Sequence, residues 1–191
     1  MRAQAIHLNT LIKQNNPETI KLDENHIPHI TLLQGFINEK NLPIVKDALN
    51  VLFKTIESDT MQAESIFYYK DKEESFAMIV VEKSDQLLKL HEKTIEIVKP
   101  FIVKNGSEAS FVPNPDGSPI SESTIKYVPE FVEKYSYENF DPHISLGVAQ
   151  KVLLDSLTEN VFNQIQFQPT SVSVYQLGDH GTTRKLLWKS D

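Results

Sequence analysis

The stretch PHISL at residues 142–146 stands near the end of the chain, and PHITL at residues 28–32 spells almost the same pentapeptide near its start. In each copy polar and apolar side chains alternate, which is the period of a half-buried β-strand. Because residues i and i+2 of a strand point to the same face, each copy presents an imidazole and a hydroxyl on one side and two apolar side chains on the other. The polar residues that this alternation places are His29, Thr31, His143 and Ser145.

Hydrophobic periodicity divides the rest of the chain into further strands and helices. Strands are predicted over residues 4–13, 26–37, 64–70, 75–82, 140–150, 167–177 and 182–189. Helices with one apolar stripe are predicted over residues 38–58, 85–103, 121–135 and 152–163. Residues 14–25 are polar and contain a proline, which predicts a loop or a short helix.

Several single residues are expected to begin, bend or end these helices. Pro43 suits a first helical turn, and Ser84 or Asp85 can cap the second helix. Gly106 is expected to end that helix in a left-handed conformation, and Pro129 is expected to kink or split the third.

Residues 108–140 form the least regular stretch and are rich in aromatic side chains. A long irregular segment just before a functional strand is a common place for a substrate-facing lid, whose rings could stack on a base. The simpler alternative is that the rings cover the core. His91, in the second predicted helix, is expected to be solvated or to pack locally.

The order of these elements predicts an α+β protein in which helices cover the outer faces of antiparallel sheets arranged as two lobes. A chain of 191 residues suits a single domain, here residues 1–191. We expect a monomer.

Charge and composition exclude several functional classes. The net charge of −7 argues against a protein that binds a long duplex through contacts to many phosphates, but it is compatible with binding of a small phosphorylated ligand. With no cysteine, the chain has no disulfide, thiol nucleophile or thiolate zinc site. A histidine pair at 26 and 29 would face opposite sides of a strand, so no metal site is expected there.

The ends and apolar runs of the chain bear on its location. No run reaches the length that spans a membrane, and no charged-then-apolar signal segment starts the chain. We expect a cytoplasmic protein without a membrane partner. An early predicted strand, from residue 4, is equally compatible with a leader that has been removed.

The duplicated H-x-[T/S] signature resembles that of the two-histidine phosphoesterase superfamily, whose members include 2′-5′ RNA ligase-like proteins and cyclic nucleotide phosphodiesterases. The terminal segment resembles the hairpin of that family, through YQLG at 175–178, GT at 181–182 and RK at 184–185. The resemblance implies two pseudo-symmetric lobes with one motif in each, facing a central cleft. It implies that His29 and His143 are the catalytic pair and that Thr31 and Ser145 bind phosphate.

The chemistry that this resemblance implies suits the residue types. With an ordinary pKa near 6.5, one histidine can act as base and another as acid in hydrolysing a 2′,3′-cyclic phosphate or a 2′-5′-linked RNA or nucleotide. The expected substrate is a small nucleotide or an RNA end, with no metal or cofactor. The reverse reaction, 2′-5′ RNA ligation, is also open, as is the question of which histidine is the base. Further residues expected to bind substrate are Tyr175, Arg184 and Lys185, although Arg184 and Lys185 are equally compatible with solvated surface charges.

Two alternatives to an enzyme remain at this stage. The first is a catalytically idle module on the same fold that binds a nucleotide or an RNA end. The second is an unrelated structural or partner-binding α+β domain, in which two core strands happen to carry similar polar faces.

Overall fold

The structure is a computed structural model that describes residues 1–24, 26–54 and 60–190. The helices are α1 (Arg2–Asn15), α2 (Leu42–Lys54), α3 (Asp85–Val98), α4 (Glu122–Lys134) and α5 (Lys151–Asn160). The strands are β1 (Phe36–Ile37), β2 (Met61–Phe67), β3 (Glu74–Val81), β4 (Ile102–Val103), β5 (His143–Gln150), β6 (Ile165–Phe167), β7 (Ser173–Leu177) and β8 (Thr183–Lys189). Helices and antiparallel strands therefore coexist, and the predicted α+β class is confirmed.

The chain divides into two compact units, each assembled from three separated segments. The first unit contains Met1–Thr31, Thr60–Lys83 and Pro142–Gln168. The second contains Leu32–Asp59, Ser84–Asp141 and Pro169–Asp191. No helix in the described part of the chain combines the length and the apolar character that crossing a membrane requires.

A four-stranded antiparallel sheet organises the first unit, in the order β5-β3-β2-β6. Along β3 the side chains alternate between buried positions and more open ones. The buried face of the sheet packs against α1 and α5, whose apolar residues are also buried. This face contains Ala77, Ile79, Ile144 and Leu146, and the helices contribute Leu8, Ile12, Leu154 and Leu157. The opposite face of the sheet carries the polar side chains of the second motif copy.

The predicted strand over residues 4–13 is wrong, because these residues form most of α1. Ala5, Leu8 and Ile12 recur at spacings of three and four and are fully buried, so they make one helical stripe. A short segment can satisfy both an alternating and a helical pattern, and here packing on the sheet selects the helix.

The second unit contains two two-stranded antiparallel sheets, β1 with β4 and β7 with β8. Its first apolar cluster comprises Phe36, Phe111, Ile120 and Val128. Its second is built on Val45, Leu49 and Val98 from α2 and α3. Trp188 of β8 packs against this second cluster and stacks on Phe53, with ring centroids 6.0 Å apart. Helices α2 and α3 therefore pack against a side chain of the terminal hairpin.

Most predicted elements appear with shifted ends. The hairpin predicted over 64–70 and 75–82 is confirmed as β2 and β3, and Ser84 caps α3 by accepting a 3.2 Å hydrogen bond from the Leu87 N–H. Helix α2 begins at Leu42 with Pro43 in its first turn; residues 55–58 of the predicted helix lie outside the described residues.

The predicted end of the second helix at Gly106 is wrong. Helix α3 ends at Val98 and passes into a 3₁₀ turn that contains Pro100, which has no N–H to donate to the helical ladder. Gly106 serves instead as a close-approach position, because a Cβ atom there would lie 2.4 Å from the Phe36 ring.

Two further prolines bear on the predicted elements, and the split expected at Pro129 is wrong. Helix α4 runs through Pro129 without being split, with Val128 and Phe131 buried on either side of it. The strand predicted over 167–177 is wrong as a single element, because the chain leaves β6 at Phe167 and begins β7 at Ser173. Pro169 lies between them and cannot donate to a ladder.

Candidate active site

The second copy of the motif occupies the start of β5. His143 and Ser145 are half-buried on one face of the strand, while Ile144 and Leu146 are buried on the other. The predicted strand and the predicted division of its faces are both confirmed here. Strand β3 pairs alongside, so β5 is held from one side by a regular ladder.

The first copy is not a strand. Residues 27–35 lie outside regular secondary structure, and only Phe36–Ile37 of the predicted segment joins a sheet. Pro28 has no N–H to give to a ladder, which favours a non-strand path at this point. His29 and Thr31 are half-buried, and both belong to the first unit.

The environment of His29 selects one tautomer. Its Nδ1 atom lies 2.8 Å from the carbonyl oxygen of Ile27. A carbonyl oxygen only accepts, so Nδ1 carries the hydrogen and, in the neutral ring, Nε2 carries the lone pair. The ring is therefore oriented with its basic nitrogen directed away from its own backbone.

The pKa of His29 is lowered, chiefly because burial disfavours the charged imidazolium. The hydrogen bond to Ile27 acts in the opposite direction, and the positive charge of His143 lowers the pKa further. The two histidines therefore lie within electrostatic reach of each other. An imidazole that is neutral near pH 7 and carries an available lone pair can accept a proton.

All four motif residues with polar side chains belong to the same unit. This differs from the arrangement of one motif in each lobe that the resemblance implied, because the first unit contains Met1–Thr31 as well as Pro142–Gln168. The first copy crosses the boundary between the units at its last residue, Leu32.

Asn9 of α1 joins the segment before the first copy to the strand of the second. Its side-chain amide donates to the carbonyl oxygens of Ile20 and Leu146, both at 2.8 Å, and its Oδ1 accepts from the Leu22 N–H at 2.8 Å. Asn9 is fully buried, and its bonds to Leu146 and Leu22 are therefore shielded from water. Sequence reasoning missed this residue because it took the segment for a strand.

Two other side chains occupy the outer edge of β5. Thr19 Oγ1 accepts the Val148 N–H at 2.7 Å, and the Asn16 side-chain amide donates to the Val148 carbonyl at 3.2 Å. Thr19 also explains Gly147, whose φ is +117° and where a Cβ would lie 2.4 Å from Thr19 Oγ1. The segment that contains Asn16 and Thr19 is thus hydrogen-bonded to the strand that carries His143.

His91 makes the corresponding connection in the second unit. It is fully buried; its Nδ1 lies 2.7 Å from the Leu32 carbonyl oxygen, and its Nε2 accepts the Tyr137 N–H at 3.0 Å. Its ring stacks on Phe140 with centroids 3.9 Å apart. The packing role expected for His91 is confirmed and the solvated one is wrong. Leu32 ends the first motif copy, and Phe140 stands two residues before the second.

The three further residues expected to bind substrate lie on the terminal hairpin of the second unit. Tyr175 of β7 is half-buried and pairs with Leu186 of β8. The side-chain stem of Arg184 lies against Gly178, where a Cβ would be 2.5 Å from Arg184 Cγ, and Lys185 is exposed. Their contact with substrate stays a prediction.

Three of the six aromatic residues of 108–140 are buried in the core. Phe111, Phe131 and Phe140 are buried, while Tyr135 and Tyr137 are exposed. Much of the segment is α4 with short 3₁₀ turns, so it is more regular than expected, and the lid stays a prediction. Among the described residues, no cluster of three or more histidine or acidic side chains could hold a metal ion.

Comparison with known proteins adds little to this geometry. No protein-family model matches the chain, and no curated protein matches it in sequence. A solved structure, that of TT0787 of Thermus thermophilus, is similar over 99% of this chain and 90% of that chain, with 18% sequence identity and a TM-score of 0.48. A likeness at this level leaves the chemistry of the side chains as the guide to function.

Proposed function

We propose that this protein is a two-histidine phosphoesterase that hydrolyses a 2′,3′-cyclic phosphate or a 2′-5′-linked RNA or nucleotide. The observation that carries the proposal is that the histidine and the hydroxyl of both motif copies belong to the same unit, where His143 contributes to lowering the pKa of His29. A pair of imidazoles in one unit, each followed two residues later by a hydroxyl, matches what phosphodiester hydrolysis needs.

His29 is the general base in the direction of hydrolysis. Its lowered pKa keeps the ring neutral near pH 7, and its Nδ1 hydrogen bond leaves Nε2 to take the proton from water. The water oxygen then bonds to phosphorus.

His143 is the general acid. In its protonated form it gives a proton to the leaving ribose oxygen as the P–O bond breaks, so the ring ends neutral while His29 ends protonated. When a ribose hydroxyl takes the place of water, one histidine removes the hydroxyl proton as its oxygen bonds to the phosphorus of a cyclic phosphate, and the other protonates the ring oxygen whose P–O bond breaks. That transesterification is the 2′-5′ RNA ligase activity, which this proposal includes.

Thr31 and Ser145 bind the phosphate. A hydroxyl that donates to a non-bridging oxygen stabilises the negative charge that grows there in the transition state, and it does so best when fixed in advance. Ser145 is supported by its position two residues from His143 on the same face of β5. Acid, base and phosphate binding are all supplied by side chains, so the proposed steps call for no metal ion or cofactor.

The net charge of −7 favours a short substrate over a long duplex, because a duplex requires many basic contacts. A mononucleotide or the end of an RNA chain brings only one or a few phosphates to the site. The terminal hairpin, with Tyr175, Arg184 and Lys185, is proposed to contribute to binding such a substrate.

The test is turnover of a panel in the presence of a chelator. The panel contains 2′,3′-cyclic mononucleotides, an oligoribonucleotide with a cyclic phosphate end, and 2′-5′ oligoadenylate. We expect the wild type to hydrolyse at least one of these, and the single variants His29→Ala and His143→Ala to lose about 10²- to 10⁴-fold in kcat. Far-ultraviolet circular dichroism and thermal unfolding check that each variant is folded.

Wild-type activity in either folded histidine variant would rule out the paired mechanism. Binding of the panel without turnover by the wild type would favour the idle binding module instead. A wild type that neither binds nor hydrolyses any member would favour the unrelated structural domain.

A further inference from the structure

The open face of the four-stranded sheet continues sideways from the second motif copy. Ser145 of β5 pairs with Met78 of β3, and Met78 pairs with Phe67 of β2. Directly paired residues on neighbouring strands point to the same face, so these three side chains form one row across the sheet. Both Ser145 and Met78 are half-buried, and the residues that flank Met78 in β3, Ala77 and Ile79, are fully buried on the helix side.

Aromatic rings on this face are unusually open to solvent. Phe67 is 43% exposed, Tyr69 is 52% exposed and Phe76 is 37% exposed. Phe67 and Tyr69 meet edge to face with centroids 5.5 Å apart, and Lys72 Nζ lies 4.8 Å from the centroid of the Tyr69 ring. Phe76 is two residues from Met78 on β3 and pairs with Val148 of β5, so it lies on the same face as the row.

We propose that Phe67, with Met78 and Phe76 beside it, forms a platform on which a nucleobase of the substrate stacks. This inference rests on the proposed function, because it assigns the part of the substrate beyond the phosphate. It specifies a nucleoside phosphoester as the substrate class, in preference to a cyclic phosphate that lacks a base.

The spacing supports a nucleotide that lies across the strands. Neighbouring strands are about 4.8 Å apart, so the backbone of Phe67, two strands away, is about 10 Å from that of Ser145. This is comparable with the reach of a nucleotide from its phosphate to its base. With the phosphate at Ser145, the ribose lies over Met78 and the base reaches the Phe67 ring.

The chemistry of the row also favours a base over a peptide. A flat aromatic face offers stacking to any nucleobase, and a thioether beside it makes favourable contacts with π-systems. The cation over the Tyr69 ring places positive charge at the far side of the platform, where a further phosphate of an RNA chain is attracted. The row is continuous with the proposed phosphate site, which gives the base and the phosphate one shared surface.

The experiment compares two substrates in one set of variants. The first is a 2′,3′-cyclic mononucleotide, and the second is the cyclic phosphate of glycerol, which has no base. We expect Phe67→Ala to raise KM for the nucleotide by about 5- to 150-fold, the range that loss of one base stack gives, while the ratio kcat/KM for the base-free substrate changes by less than about 2-fold. Phe67→Trp should keep the nucleotide KM, and Phe67→Leu, which is apolar but has no ring, should behave like Phe67→Ala.

The matched control is Val152→Ala on α5, the helix that packs on the other face of the sheet. Val152 is 80% exposed, so its truncation changes exposed apolar area without touching the platform. The platform proposal would be overturned if Phe67→Ala left the KM for the nucleotide unchanged, or if it lowered activity on both substrates equally. Neither result would contradict the proposed roles of the two histidines.

If the wild type turns over neither substrate, a binding measurement tests the platform instead. In an NMR titration with a nucleoside 3′-monophosphate, the platform predicts that shifts of the Phe67 and Phe76 amides saturate in the wild type and that binding weakens in Phe67→Ala. No binding by the wild type, or equal binding by the variant, overturns the inference. In that case binding of a protein partner becomes the better explanation of the exposed rings.

Discussion

The side-chain amide of Asn9 donates a 2.8 Å hydrogen bond to the carbonyl oxygen of Leu146. Through its other bonds the same side chain holds the backbone at Ile20 and Leu22, which precedes the first histidine motif by a few residues. A single buried amide thus joins the approach to His29 with the strand that carries His143. These three bonds require a side chain with at least two donor hydrogens and one acceptor, which the amide of Asn9 provides.

Replacing Asn9 by Leu should therefore disturb both stability and catalysis. The change leaves buried backbone groups without partners, which costs about 1–3 kcal/mol for each one that water cannot reach. We expect a lower free energy of unfolding in urea and faster hydrogen exchange at the Leu22 amide, together with a loss in kcat larger than any rise in KM. Leu8→Val, a milder change on the same buried stripe of α1, is the control for simple loosening of the helix; an equal loss of activity there would contradict a specific role for the Asn9 amide.

The acid side of the pH profile should report the lowered pKa of His29. As the proposed base, His29 must be neutral in the free enzyme, so kcat/KM should fall only when the pH drops below the ordinary histidine value of 6.5. Measurement of kcat/KM between pH 4.5 and 8 on a panel substrate checks this. An acidic limb centred at or above pH 6.5 would be incompatible with the environment of His29.

The same lowered pKa has a consequence for stability. Below pH 6.5 His29 takes up a proton in the unfolded chain, whereas in the folded chain it does so only at a lower pH. The stability that neutral His29 contributes is therefore present above pH 6.5 and is lost progressively as the pH falls from 6.5 through the lower folded-state pKa. Urea unfolding of the wild type and of His29→Gln at several pH values isolates this contribution. The variant should show a shallower loss of stability in that window.

The two hydroxyls should act mainly in the transition state. We expect Thr31→Ala and Ser145→Ala each to lower kcat by about 10²-fold, the order found when one fixed donor to a developing oxyanion is removed. The conservative changes Thr31→Ser and Ser145→Thr keep a hydroxyl and interchange the residue types of the two motif copies, so they should keep most of the activity. Equal losses in the alanine and the hydroxyl-preserving variants would point to packing in place of hydrogen bonding.

What the sequence could predict depended on whether the determining contacts are local. The alternation around His143 and Ser145 was sufficient to predict the strand of the second copy, because a strand that is buried on one face has apolar and polar residues at alternate positions. The first copy has the same alternation, but residues 27–35 do not pair with another strand. Strand pairing depends on residues distant in the sequence, so the alternation alone could not predict its absence. Asn9 was hidden for the same reason, since its three acceptors and donors lie at residues 20, 22 and 146.

Asp179 should contribute stability that is sensitive to acid. Partial burial would raise its pKa, but hydrogen bonds from the Ser121 and Thr124 hydroxyls and from the Ser121 and His180 N–H groups outweigh burial and hold the pKa well below its ordinary 3.8. These bonds fasten the N-terminus of α4 to the β7–β8 turn. A depressed carboxyl pKa gives stability that is present above pH 3.8 and is lost progressively as the pH falls from there through the lower folded-state pKa.

Asp179→Asn should accordingly lower the free energy of unfolding by about 1–3 kcal/mol at pH 7 and flatten the dependence of stability on pH below about 4. Asp116→Asn is the control, because Asp116 also accepts hydrogen bonds, from Ser118, but stands exposed in a loop. Urea unfolding at pH 7 and at pH 3 distinguishes the two. Similar behaviour of both variants would mean that the cap on α4 adds nothing beyond a surface hydrogen bond.

His91 should prove to be structural, although it is a buried histidine close in sequence to neither motif. Its ring accepts the Tyr137 N–H and bonds the Leu32 carbonyl, so His91→Phe keeps the stacking on Phe140 while removing both hydrogen bonds. We expect that variant to lose about 1–3 kcal/mol of unfolding free energy for each buried backbone group left unpaired, and to show reduced hydrogen-exchange protection at the Tyr137 amide. His91→Gln, which can still donate or accept, should recover part of both. Because a purely aromatic role for His91 would leave the phenylalanine variant as stable as the wild type, the comparison of Phe with Gln separates stacking from hydrogen bonding at this position.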